Sequence, residues 1–190
     1  MEPTREDARE LLNRHTKSES LIKHALAVEA AMRAYARRYG EDEDRWAVTG
    51  LIHDFDYEEH PTAEEHPMVG AMMLRELGWP EDIVLAVQGH GNHLDVPRTT
   101  MMAKSLYAVD ELTGFIMACT LVRPDKCIIN LKTKSVLKKW KDKAFARGVN
   151  RQDIEQGAAD LGLDLNEHIE YVIEALKPVA KELGLDGAGN

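Results

Sequence analysis

Residues 21–32 read LIKHALAVEAAM. At helical spacing Leu21, His24, Ala25, Val28 and Met32 share one face, and Tyr35 extends it. That face is apolar except for His24, so the segment reads as an amphipathic helix with a histidine turned inward. Taken alone, His24 has two readings: a core histidine satisfied by a neighbour, or a ligand.

The same period runs through most of the 190 residues. Val and Ile form no long alternating run, and turn signals lie too far apart for a sheet protein. The sequence predicts an all-α fold. A short helix starts near Thr4, with Asp7 placed as in a capping box. Longer ones cover about 18–39, 42–54, 67–78 and 80–89, and another is capped by Thr99 or Thr100. Beyond Pro124 shorter helices are expected, one near 134–146 and two capped by Asn150 and Asn166. Pro178 should interrupt the last of them.

The helix over about 42–54 leads into WAVTGLIHDFDYEEH, residues 46–60. AVTGLI is small and apolar, so a buried helix delivers His53 and Asp54 into a polar loop. Neighbours on a helix point about 100° apart, yet both reach one ion seated against the helix end. Asp110 carries more information. Its stripe reads Ala103, Leu106, Asp110, Thr113, Met117 and Leu121. A carboxylate there is costly unless it is paired, caps a helix or binds a metal.

Together His24, His53, Asp54 and Asp110 make a mixed N/O set on three helices. Such a set suits a divalent metal: Mn, Fe, Co, Ni or Zn, with Mg also accommodated. His66 and His90 fall between the ligands in sequence, and His93 follows three residues later. His15, His60 and His168 read as surface residues.

Bulk properties narrow the function. Hydrophobic residues make up 44% and charged residues 30%, as in globular proteins. No apolar run is long enough to span a bilayer, and MEPTREDARELLNRH lacks the apolar core of a signal peptide. A cytoplasmic protein without membrane partners is expected. Cys119 and Cys127 fit a reducing compartment. The net charge of -9 argues against general nucleic-acid binding. The charge is uneven: Arg123 to Arg151 holds ten Lys or Arg against two Asp or Glu.

At these residues the chain resembles the HD superfamily of metal-dependent phosphohydrolases, close to its HDIG-type members. The order His24, His53-Asp54, Asp110 matches the H…HD…D pattern. HPMVGAMMLRELGWPEDIVLAVQGH, residues 66–90, resembles the family's H-x-x-x-G-A-x-x-L…G…I…H segment, and AKSLYAVDELTG, residues 103–114, its closing Asp helix. The resemblance covers roughly 18–120 and implies a helical bundle around a metal site. By its length the chain reads as one domain over 1–190, with the metal-binding core at about 18–120 and a helical extension at about 121–190 that the family pattern does not explain. In two-metal members, histidines at the positions of His66 and His90 hold the second ion and the aspartate at Asp54 bridges. This chain has Gly91 where many relatives have a second His, and Phe55-Asp56 where many have Ile-Gly. It lacks the GYP-type motif of cyclic-dinucleotide hydrolases.

The implied activity is hydrolysis of a phosphate ester or anhydride, such as a nucleotide, by metal-activated water. Asp54 belongs to the catalytic set, and Asp56 or Glu58 is placed in the adjoining loop to orient water. An anionic substrate needs positive charge, so Arg123 and Lys126, with Arg98, are the candidate phosphate contacts. Two alternatives come from other classes: a regulatory module that binds without turnover, and a di-iron oxygenase using all six ligands.

Overall fold

The structure is a computed structural model, and it describes residues 2–187. Helix α1 (Arg5–His15) starts at a reciprocal bond between Thr4 and Asp7, the capping box its sequence predicts. Helix α2 (Glu19–Tyr39) ends on Gly40 at φ 71°, a left-handed conformation suited to glycine. Asp42 caps α3 (Glu43–Ile52) by accepting from Asp44 N and Arg45 N. Then come α4 (Met68–Glu76), α5 (Glu81–Gly89) and α6 (Met101–Leu121), the last capped by Thr100. The chain continues through α7 (Thr133–Trp140), α8 (Arg151–Asp160), α9 (Leu165–Leu176) and α10 (Ala180–Leu183). Among the described residues there is no β-strand, only an isolated antiparallel bridge between Cys127 and Asp186. None of the described helices is long and apolar enough to cross a membrane.

The centre is built on α2 and α6, each about 30 Å long at 1.5 Å per residue. The stripe seen in LIKHALAVEAAM is the reason α2 lies there. Ala25, Val28, Met32 and Tyr35 are all buried, and Met32 and Tyr35 have no exposure at all. Each large side chain removed from water in this way contributes roughly 1.5–3 kcal/mol. Helix α3 packs on α2 at unusually close range because of Gly50. A Cβ there would lie 2.9 Å from the Val28 carbonyl oxygen. This glycine brings the end of α3, and so His53, beside His24.

The extension packs on the same two helices. Helix α9 packs against α2 and α6, and α8 lies along α6. Several expectations need correction here. Helix α7 ends at Trp140 rather than near 146 because Arg151 captures the chain beyond it. Its guanidinium donates to the carbonyls of Trp140, Asp142, Phe145, Ala146 and Val149, and it stacks on Phe115. The cap of α9 is Asp164, accepting from Asn166 N, so Asn166 is already inside the first turn. Pro178 does interrupt the helix, which passes through a 3-10 turn at Lys177–Val179 before α10. Leu121 is the last residue of α6 and is 48% exposed, outside the inward stripe. His168 is fully buried rather than a surface residue.

Candidate metal centre

Three helices deliver the first set of candidate ligands to one point. His24 comes from the middle of α2, His53 and Asp54 from the end of α3, and Asp110 from the middle of α6. His24 Nε2 lies 2.9 Å from Asp110 Oδ1 and 3.2 Å from His53 Nε2. His53 Nε2 is 3.3 Å from Asp110 Oδ1 and 3.4 Å from Asp54 Oδ2. One ligand atom from each of these four residues falls within 4.8 Å of the others.

A second set meets the first at Asp54. His66 Nε2 stands 3.1 Å and His90 Nε2 3.2 Å from Asp54 Oδ1, and the two nitrogens are 3.2 Å apart. Asp54 therefore turns one oxygen to each set. Its Oδ1 is buried without a hydrogen-bond partner, and burying such an atom is costly unless something else satisfies it.

The ring tautomers fit that arrangement. His53 Nδ1 donates to the Gly50 carbonyl at 2.8 Å and His90 Nδ1 to the Val87 carbonyl at 2.5 Å. His66 Nδ1 donates to Asp56 Oδ1 at 2.9 Å. Each bond orients its ring with Nε2 facing inward, as metal-ligating histidines are held. Thr113 stands 3.5 Å from His24 Nδ1, a weaker support. The donor set of imidazole and carboxylate, with converging lone pairs and an orphaned carboxylate oxygen, fits divalent ions.

Residues 21–113 match the family described as HD domain. The chain carries an HD domain. The matched region contains all six residues of the two sets. Among curated relatives, Ribonuclease Y of Oleidesulfovibrio alaskensis is 31% identical over 98 residues. Ribonuclease Y of Nitratidesulfovibrio vulgaris strain DP4 is 30% identical over 98 residues. Each alignment covers 51% of this chain but 18% of the relative, so the chain spans under a fifth of the length of the relatives it matches. No solved structure matches the chain significantly.

The HD site has a strong internal field. Burial opposes charge on His53, but Asp54 and Asp110 outweigh it and hold the imidazole well above its usual range. Burial likewise works against charge on Asp54 and Asp110, while the surrounding histidines hold both carboxyls well below theirs. His66 resists burial through Asp54 and Asp56 and is pushed up to about 9. Next to the ligands, burial and the charge of Asp110 push Glu111 up to about 7.

The structure places the other candidates differently. Asp56 is fully buried, holding His66 Nδ1 with Oδ1 and the Gly70 amide with Oδ2 at 2.9 Å. It is a positioning residue for His66 and does not face water. Gly70 is required for this: a Cβ there would fall 2.7 Å from Asp56 Cγ. Glu58 accepts from the Lys17 and Ser18 amides and ties the loop to the start of α2. Arg123 and Lys126 are not brought to the cavity. Arg123 lies 13 residues beyond Asp110 on the α6 path, roughly 20 Å at helical rise, and forms a forked pair with Asp125. Arg98 braces the rim from behind, donating to the Gly89 carbonyl and Asn92 Oδ1 and lying 3.7 Å from the Tyr107 ring centre.

The ligands open into a cavity of about 430 Å³, a size usual for small-molecule sites. Sequence reasoning missed four of its lining residues: Asn92, Tyr107, Glu111 and Asp153. Tyr107 lies one turn before Asp110 and Glu111 directly follows it, so both were legible in principle. Asp153 sits in the first turn of α8, where an acidic residue reads simply as favourable to the helix dipole.

Proposed function

We propose that this protein is a metal-dependent phosphohydrolase acting on a small phosphate ester or anhydride, a nucleotide among the candidates. The carrying observation is Asp54, which offers one oxygen to His24, His53 and Asp110 and the other to His66 and His90. A carboxylate so placed would help hold a cation in each set, and two such cations would supply the charge that stabilises phosphoryl transfer. When bound, a divalent ion (Mn, Fe, Co, Ni, Zn or Mg) lowers the pKa of water and draws charge from a phosphoryl oxygen.

The chain's own residues do the rest. Gly50, Val87 and Asp56 accept from Nδ1 of His53, His90 and His66, so each ring is oriented with Nε2 toward the site, from which a bound cation would displace the proton that the carboxylates favour on His53 and His66. Glu111 lines the cavity beside Asp110, where burial raises its carboxyl above the usual range and makes it a candidate proton carrier.

The test is elemental analysis of the purified protein, then a phosphatase and nucleotidase screen with each metal. The names of the relatives add an RNA arm to that screen. Metal-dependent turnover of a phosphoester supports the reading; metal present with no turnover across the panel overturns it in favour of a binding module. The convergence of all six ligands also suits a di-iron oxygenase, which oxygen uptake by iron-loaded protein would reveal.

A further inference from the structure

The part of the chain beyond the HD domain reaches into the cavity. Gly157 of α8 rests on α6 so closely that a Cβ would lie 2.5 Å from Ala108 Cα. Asp153 is four residues earlier and shares that face of α8. It therefore meets α6 where Tyr107 and Glu111 flank the same contact, and all three line the cavity.

The wall so formed is rich in acceptors. Asn92 Nδ2 donates to Tyr107 Oη at 2.8 Å and to Asp153 Oδ1 at 2.7 Å, and Asn92 Oδ1 is held by Arg98. Asn92 is thus committed, and Asp153 is oriented by it. An ionised carboxylate has about four acceptor positions, and Asn92 uses one. Among the described residues no Lys or Arg lines the cavity. A polyanionic substrate meets no basic side chain on this wall, whereas a chain of hydroxyl donors meets several acceptors.

We propose that α8 supplies the specificity wall of the HD site, with Asp153 accepting hydroxyls of a polyhydroxylated phosphate ester of the sugar-phosphate class. The proposal rests on the phosphohydrolase reading for its phosphate and on α8 for its hydroxyls. Carboxylates grip sugar hydroxyls elsewhere in this way, as at the ribose of dinucleotide sites. Acceptors spread along one wall match several hydroxyls on one chain better than a single ammonium group.

The test is calorimetric binding to the full-length protein at its measured metal content. The probes are the hydrolysis-resistant phosphonates of ribose, pentane and aminopentane, matched in length and differing in donors. The wild type should bind the ribose probe at least about tenfold more tightly than the pentane probe, the scale of one hydrogen bond to a charged group. In Asp153→Asn and Asp153→Ala that ratio should fall toward one, with unchanged melting curves showing that the fold persists. A wild-type ratio near one, a ratio unmoved in both variants, or tightest binding of the aminopentane probe overturns the proposal. Because the readout is binding, a protein that hydrolyses nothing but keeps the ratio breaks the phosphohydrolase reading and leaves this one standing.

Discussion

Two groups of buried imidazoles sit against the same pair of helices and end in opposite ways. His53 and His90, with 0% and 8% exposure, use Nδ1 on a carbonyl and leave Nε2 pointed at a carboxylate and another histidine. His168, also at 0%, has both nitrogens committed. Tyr35 donates to its Nδ1 at 2.6 Å, and its Nε2 donates to the Ala108 carbonyl at 2.8 Å. That closed set ties α9 to α2 and α6. Burial is therefore not what marks a functional histidine. The mark is bonding capacity left over after the fold has been satisfied, gathered at one point by several elements.

The largest effect expected on the open side is from Asp54→Ala. It removes the oxygen facing each set, so metal affinity should fall by more than about 100-fold, beyond the range of supporting-residue changes, and hydrolysis should fall with it. Asp110→Ala should empty the first set only. Elemental analysis and anomalous scattering read both outcomes, and full occupancy in either variant would break the contrast between open and closed histidines.

The closed side makes a pH prediction. Burial, opposed by the Ala108 carbonyl and aided by Arg38, pushes His168 down to about 4 from 6.5. A depressed histidine is neutral in the fold while the unfolded chain takes up a proton. Its contribution is present above about 6.5 and is lost as pH falls toward about 4. At 1.36 kcal/mol per unit this amounts to about 3 kcal/mol. Urea unfolding between these limits should show a steeper acid-side loss in wild type than in His168→Leu. Parallel curves would remove His168 as the cause.

Smaller effects sharpen the division within the site. Asp56→Asn should weaken metal at the His66–His90 pair by about 10–100-fold, the usual cost of losing a supporting carboxylate, and spare the first set. Equal weakening of both would show that Asp56 acts through the fold rather than through His66. Arg123→Ala should change kcat/KM less than about twofold, since its partner is Asp125 in a partly exposed pair. A larger rise in KM would return a phosphate-binding role to the basic segment.

The sequence by itself determined the helical class, most helix starts and the six candidate residues that the fold brings together. These are local or periodic properties: a capping side chain, an apolar stripe, a histidine or aspartate where the stripe should be apolar. His24 and Asp110 were legible because each breaks its own stripe. Tertiary structure alone decided which polar groups are spent and which are open. His168 lies on a helix with charged neighbours and reads as surface, until Tyr35 and Ala108, 133 and 60 residues away, close over it. Asp56 reads as a solvated loop residue until Gly70, 14 residues on, lends it an amide and His66 a ring nitrogen. Asp153 reads as a helix-start residue until Gly157 lets α8 settle on Ala108. Each of these depends on close approach between distant backbones, which has no period in sequence.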